Sequence, residues 1–119
     1  MKVKYSYLSK QFSNTGNLWP SLKKFVKTED FTLGKPLFEF EKKFAKLNDS
    51  KFAVGVNSGT DAIKLSLKAL GVGYKDEVIT AANTFVATVG AIIEIGAKPI
   101  FVDCDDTFCM NVNQIEKKI

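Results

Sequence analysis

The chain has 119 residues, of which 45% are hydrophobic and 25% charged, and its formal net charge is +4. This length allows one domain with a modest core. All seventeen basic residues are lysines and histidine is absent, which excludes imidazole bases, imidazole metal ligands and bidentate arginine contacts to phosphate or guanine.

Charge and hydropathy also limit the partners. The lysines are scattered along the expected solvent faces of helices, which favours a solvated surface over a nucleic-acid interface. No apolar run is long enough to cross a membrane, and the first residues lack the apolar core of a secretion signal. We therefore expect a cytoplasmic protein without nucleic-acid or membrane partners. Cys104 and Cys109 match no redox or metal-ligand spacing and are expected to be free thiols.

Two amphipathic helices are predicted first along the chain. Residues 17–28 ("NLWPSLKKFVKT") place Pro20 in a first turn, and residues 35–48 ("KPLFEFEKKFAKLN") do the same with Pro36. Asn48 is a suitable helix stop. The second helix carries an apolar stripe that is expected to pack against a larger body: Leu37, Phe40, Phe44 and Leu47.

From Lys51 the pattern changes to alternating strands and helices. Strands are predicted over 51–57, 76–82 and 98–103, with helices over 60–70 and 85–95 between them. Connections of helix length indicate a parallel α/β unit. The last residues, "NVNQIEKKI", predict a further helix with Asn113 as N-cap and Glu116 completing a capping box. Because the chain stops within two turns of that start, we expect a fragment.

Two strand-to-helix junctions carry candidate chemistry. At the first, Ser58, Gly59 and Thr60 meet the start of a helix, where unpaired N–H groups and the helix dipole favour an anion. The alternative is that Ser58 or Thr60 merely caps the helix. At the second, Phe85 follows a strand and either stacks on a flat heteroaromatic cofactor or packs in the core. No nucleotide-loop glycine motif fits either junction.

Four stretches in register resemble the DegT/DnrJ/EryC1/StrS family of pyridoxal-phosphate-dependent sugar-nucleotide aminotransferases. They are "FTLGKPLFEFEKKFAKL", "VNSGTDAIKLSLKALGVG", "DEVITAANTFVATVGAI" and "GAKPIFVDCDDTFCMN", and the resemblance covers nearly the whole chain. It implies the N-terminal portion of the large domain of a fold-type I transferase, an α/β fold. We therefore expect one incomplete domain, with a helical segment at 1–50 and the start of the cofactor-binding part at 51–119.

The resemblance also implies roles for residues at the two junctions. Gly59, Thr60 and the backbone of Asp61 would hold the phosphate of pyridoxal 5'-phosphate, and Phe85 would stack on its ring. Ser58 would shape the turn. Lys64 and Lys68 do not match the family's cofactor-linked lysine and are interpreted as surface residues. Two positions depart from the family pattern. Lys75 replaces a glycine, so a tight turn must accommodate a side chain, and Ala82 stands where proline or serine is common.

The residues that would carry the chemistry lie beyond Ile119 by the same resemblance. They are the lysine that binds the cofactor covalently, an aspartate at the pyridine nitrogen, a serine and a partner-subunit asparagine. No catalytic residue is therefore assigned, and the 119-residue chain alone is predicted to be inactive. The whole protein is expected to be a homodimer that transfers an amino group from a donor such as glutamate to a nucleotide-linked keto-sugar. Two alternatives stay open: a sugar dehydratase of the same family and a non-catalytic truncated relative.

Overall fold

The computed structural model describes residues 3–119. Its backbone divides into two units, the first ending at Gly55 and the second comprising Val56–Ile119. The expected organisation, a single incomplete domain with segments 1–50 and 51–119, stays a prediction.

Helices make up the regular structure of the first unit. They are α1 (Leu8–Gln11), α2 (Leu18–Val26) and α3 (Lys35–Leu47). Both predicted helices are confirmed, with Pro20 and Pro36 in their first turns and Asn48 as the C-cap of α3. The apolar stripe of α3 is less covered than expected, since Phe40, Phe44 and Leu47 are exposed.

A side chain from the preceding loop caps α3. The carboxylate of Asp30 accepts a hydrogen bond from the backbone N–H of Lys35, with Oδ2 and N separated by 2.9 Å. Gly34, the N-cap residue, has no side-chain oxygen with which to cap. A Cβ atom built on Gly34 would overlap Oδ1 of Asp30. The cap therefore depends on a glycine at position 34, because the carboxylate occupies the space a larger residue needs.

The predicted strand at 51–57 is wrong. These residues form no ladder with any other part of the described chain, and Phe52 and Val54 are exposed. Alternating apolar residues supply the side-chain pattern of a strand, but a strand also needs a hydrogen-bonded neighbour. Instead, the backbone N–H of Gly55 donates to Oε1 of Glu41 on α3, at 2.7 Å.

The second unit is built on a pair of parallel strands. It contains α4 (Gly59–Ala69), β1 (Glu77–Ala81), α5 (Val86–Glu94) and β2 (Lys98–Val102). The strands pair in parallel from Glu77 opposite Lys98 to Ala81 opposite Val102, and α5 packs against α4 and β2. The alternation predicted from residue 60 to residue 103 is therefore confirmed. The buried apolar residues here are Ala91, Ile92, Ala97 and Val102.

The end of the chain differs from its prediction. Two short 3₁₀ turns, Val112–Gln114 and Glu116–Lys118, replace the expected α-helix. The capping residue is Asn111, whose Oδ1 accepts from the N–H of Asn113 at 3.1 Å, and not Asn113 itself. A tertiary contact is also present here, since the side chain of Gln114 accepts a hydrogen bond from the N–H of Asp103 at 2.9 Å.

Lys75 lies in a four-residue turn that leads into β1. The N–H of Asp76 donates to the carbonyl of Gly73 at 3.1 Å, and Oδ2 of Asp76 accepts from the N–H of Gly73 at 2.7 Å. Lys75 occupies the third position with φ 75°, a conformation that favours glycine. The tight turn predicted at Lys75 is therefore present, and it holds a side chain at positive φ.

Two further features concern the whole described chain. Within residues 3–119, no helix has the length and apolar character needed to cross a membrane. Cys104 and Cys109 are free thiols, as expected, and Cys109 is exposed.

We predict that Gly34→Ala and Asp30→Ala each lower the free energy of unfolding by about 1 kcal/mol, the usual loss for a helix cap. Both changes remove the same hydrogen bond, one by displacing the carboxylate and the other by deleting it. Urea unfolding of the single and double variants measures this. A double variant that loses the sum of the two single effects would show that they act independently.

We predict that Lys75→Gly raises the free energy of unfolding by about 1 kcal/mol, because it relieves a side chain held at positive φ. Lys75→Ala is the matched control. It removes the ammonium group, which lies 5.6 Å from the centre of the Tyr74 ring, but keeps the Cβ atom, so it should not stabilise. Equal urea midpoints for the glycine and alanine variants would contradict the backbone explanation.

Candidate functional site

The start of α4 is shaped by Ser58. This residue is extended, with φ −158° and ψ 169°, and its side-chain oxygen accepts a hydrogen bond from the N–H of Asp61 at 3.1 Å. The first regular helical bond joins the N–H of Ala62 to the carbonyl of Ser58 at 3.0 Å. Ser58 is thus the N-cap, in agreement with its predicted role in the turn.

Three donors at this helix start remain free within residues 3–119. They are the backbone N–H groups of Gly59 and Thr60 and the hydroxyl of Thr60, none of which has a partner there. A Cβ atom at Gly59 would meet nothing within 4 Å, so the backbone is open to an approaching group. Asp61 differs, because its N–H is already bound by Ser58. The free donors and the positive end of the helix dipole together suit an anion.

The side chain of Asp61 belongs to an ion-pair cluster with Lys64 and Glu94. Nζ of Lys64 lies 2.8 Å from Oδ1 of Asp61 and 3.0 Å from Oε1 of Glu94, which ends α5. The hydrogen bond from Lys64 lowers the pKa of Asp61, and Asn57 and Ser58 add to this effect. The hydrogen bond to Asp61 raises the pKa of Lys64, with a further contribution from Glu94.

This cluster refines the prediction that Lys64 is a surface residue. Its side chain is 24% exposed and paired with two carboxylates, whereas Lys68 is exposed, as expected. The spacing of Asp61 and Lys64, three residues apart on a helix, was a signal for the first pair. Nothing local indicated Glu94, which lies thirty positions further along the chain.

Phe85 lies at the second junction, extended and immediately before α5. Its side chain is 76% exposed, so it is not a core residue of the described chain. Next to it, the hydroxyl groups of Thr84 and Thr88 are 3.2 Å apart. No hydrogen bond or ion pair within residues 3–119 joins the Phe85 segment to the first turn of α4. The ion pair that joins α4 and α5 is instead between Lys64 and Glu94.

A surface cavity of about 310 Å³ lies elsewhere, between α3 and residues 51–53. Its lining residues are Phe38, Glu41, Lys42, Ala45, Lys51, Phe52 and Ala53. None of the four predicted site residues contributes to it. The cavity is therefore separate from the candidate site.

Fold and sequence together define the class of protein. Residues 15–119 match the model of the DegT/DnrJ/EryC1/StrS aminotransferase family. The chain belongs to this family, as its sequence motifs predicted.

Individual relatives agree with this assignment. A dTDP-3-amino-3,4,6-trideoxy-alpha-D-glucose transaminase of Micromonospora megalomicea is 36% identical over 116 residues, which cover 97% of this chain and 31% of that protein. The crystal structure of NtdA from Bacillus subtilis, with bound cofactor PMP, is 38% identical with a TM-score of 0.84, covering 87% of this chain and 24% of NtdA. A GDP-4-keto-6-deoxymannose-3-dehydratase structure is 26% identical with a TM-score of 0.80, covering 89% of this chain and 30% of the dehydratase.

These superpositions confirm the expected fold, the N-terminal portion of a fold-type I transferase. The chain spans about a quarter to a third of the length of each of these relatives.

We predict that Ser58→Ala lowers the free energy of unfolding by about 1 kcal/mol, because it leaves the N–H of Asp61 without its acceptor. Ser58→Asn is the matched control, since asparagine caps helices about as well as serine. Urea unfolding followed by circular dichroism measures both variants. Equal losses for alanine and asparagine would mean that the serine side chain matters for a reason other than capping.

Proposed function

We propose that this chain supplies the phosphate-binding helix start and the ring-stacking residue of a pyridoxal-phosphate-dependent aminotransferase. The observation that carries the proposal is a group of three donors without a partner in the described part of the chain: the N–H groups of Gly59 and Thr60 and the Thr60 hydroxyl. Membership of an aminotransferase family supports the reaction type.

The residues present fit the cofactor. A phosphate ester needs several hydrogen-bond donors that approach from one side, and a helix start with an unobstructed glycine offers them. Serine at position 58 satisfies the third N–H internally, so the phosphate would be bound by Gly59 and Thr60 rather than by the backbone of Asp61. The exposed ring of Phe85 offers a flat apolar face for a pyridine ring.

The roles of these residues are binding and orientation. When bound, pyridoxal phosphate supplies an electron sink for carbon–nitrogen chemistry. Gly59 and Thr60 would fix its phosphate end, and Phe85 would hold the ring plane and keep water from one face. None of the described residues is assigned a proton-transfer step, so the chain positions the cofactor and the remaining chemistry is proposed to come from elsewhere in the protein.

The substrate proposal rests on relatives. The Micromonospora protein is named as a transaminase of a dTDP-linked amino sugar, and we extend this to a nucleotide-linked keto-sugar as acceptor with an amino-acid donor such as glutamate. A homodimer in the cytoplasm, with the helical segment 1–50 preceding a cofactor-binding part that begins at 51, completes the proposal.

A dehydratase is the second candidate function. The likeness to GDP-4-keto-6-deoxymannose-3-dehydratase favours it, and the residues at the two junctions suit the same cofactor in either reaction. Reading the coding frame beyond Ile119 separates the candidates. A lysine at the cofactor-linked position indicates the aminotransferase, and a histidine there indicates the dehydratase. A stop codon directly after Ile119 would favour a non-catalytic relative.

We predict that substitutions at the two junctions change the binding of pyridoxal phosphate and of pyridoxal in different ways. The protein for this test is the apo-form made from the complete reading frame. Thr60→Val should weaken binding of pyridoxal phosphate about tenfold, the value of one hydrogen bond to a charged group. It should leave binding of pyridoxal, which lacks the phosphate, nearly unchanged. Phe85→Ala should weaken both ligands about fivefold, because ring stacking does not involve the phosphate. Absorbance titration measures the four dissociation constants.

Thr60→Ser and Phe85→Tyr are the matched controls, since they keep the hydroxyl and the ring. Both should stay close to the wild-type values for each ligand. Wild-type protein that binds pyridoxal as tightly as its phosphate ester would overturn the proposed phosphate site.

We predict that the purified 119-residue chain transfers no amino group from glutamate to a keto-sugar nucleotide, because it has no residue assigned to the covalent cofactor link. Detection of 2-oxoglutarate in an endpoint assay measures this. Cofactor-dependent turnover above the rate of heat-treated chain would refute the prediction.

A further inference from the structure

Lys64 connects the first turn of α4 to the last residue of α5. Its ammonium group contacts one carboxylate on its own helix, Asp61, at 2.8 Å and another on the neighbouring helix, Glu94, at 3.0 Å. The side chains of Lys64 and Asp61 are 24% and 23% exposed, while that of Glu94 is 56% exposed. The pair within α4 is therefore the better shielded of the two.

Asp61 creates an electrostatic problem for the proposed phosphate site. It lies two residues after Gly59 in the same first turn, about 3 Å further along the helix axis. A carboxylate in a first turn interacts favourably with the helix dipole. An unpaired carboxylate there would cancel part of the positive potential that favours phosphate at the helix start. It would also repel the phosphate directly.

We propose that Lys64 is a positioning residue that neutralises Asp61 and so leaves the start of α4 free to bind the phosphate of the cofactor. This inference rests on the proposed function, because it assumes a phosphate beside Gly59 and Thr60. It assigns a cofactor-related role to a lysine that does not touch the cofactor.

The charge states of the pair agree with this role. The hydrogen bond between the two side chains lowers the pKa of Asp61 and raises that of Lys64, so both are charged at neutral pH. The lysine therefore supplies a full positive charge where the carboxylate supplies a full negative one. Within this pair the two charges cancel. The carboxylate of Glu94, 3.0 Å from the same ammonium group, adds one further negative charge, but its side chain is 56% exposed and therefore better screened by solvent.

Variants of Glu94 and Lys64 distinguish two roles of the lysine: neutralising Asp61, and holding α4 against α5 through the ion pair with Glu94. Glu94→Gln removes the ion pair between the helices but leaves Lys64 paired with Asp61. Lys64→Met removes both pairs. The double variant D61N/K64M has neither the lysine nor the carboxylate that it neutralises, and Lys64→Arg keeps the charge.

The experiment is titration of the apo-protein from the complete reading frame with pyridoxal phosphate and with pyridoxal, at low and high salt. For K64M we expect the dissociation constant for pyridoxal phosphate to rise about tenfold at low salt, as for one uncompensated charge a few ångströms away. The effect should shrink at high salt. The constant for pyridoxal should change less than about twofold, because the unpaired charge acts on the phosphate.

The other variants test the cause. D61N/K64M and K64R should return to within about threefold of wild type, and E94Q should stay within about twofold, since an exposed pair contributes little. The inference is overturned if K64M weakens both ligands equally, if E94Q matches K64M, or if the double variant does not recover. Should K64M fail to fold by circular dichroism, K64Q carries the same test.

Failure of the proposed function gives a different result. Wild-type protein would then bind pyridoxal phosphate no better than pyridoxal. A wild-type preference for the phosphate ester together with an unchanged K64M variant would leave the proposed function intact and refute the role of Lys64 alone.

Discussion

The hydrogen bond from the N–H of Asp61 to the side chain of Ser58 determines what the start of α4 can do. A helix start has several N–H groups without helical partners. Serine satisfies the third of them from within, which fixes the turn and leaves the first two pointing outward at Gly59 and Thr60. The serine therefore stabilises the helix, while the first two donors stay available to a ligand. The capping and anion-binding interpretations of this junction describe different atoms of the same turn and are compatible.

Local signals explain which parts of the fold the sequence predicted well. Pro36 and Asn48 mark the two ends of α3, and both lie where the pattern puts them. The apolar composition of β1 and β2 likewise predicts their strands, because each finds the other within the described chain. In these elements the determinants lie inside the element or in its immediate partner.

The failures have a common physical origin in contacts that local sequence does not encode. Residues 51–57 alternate like a strand but have no pairing neighbour within residues 3–119, and Glu41 binds the Gly55 N–H instead. Near the last residues, Asn111 is the capping residue in place of the predicted Asn113, and Gln114 binds the backbone of Asp103 eleven positions away. The pairing of Lys64 with Glu94 is not predictable from local sequence, because the two residues lie thirty positions apart. The candidate site was therefore recognisable by residue type, whereas its electrostatic environment required the three-dimensional arrangement.

The parallel pairing of β1 and β2 has a consequence for the order of folding. Two parallel strands cannot be joined by a tight turn, so the chain between Ala81 and Lys98 must first double back through α5. Closing this connection costs chain entropy before any ladder hydrogen bond forms in return. α5 packs on β2 and buries Ala91 and Ile92. This packing brings the end of β1 and the start of β2 into the same region. The ladder between β1 and β2 can therefore close only together with the placement of α5, and we expect this non-local pairing to slow the folding of the unit.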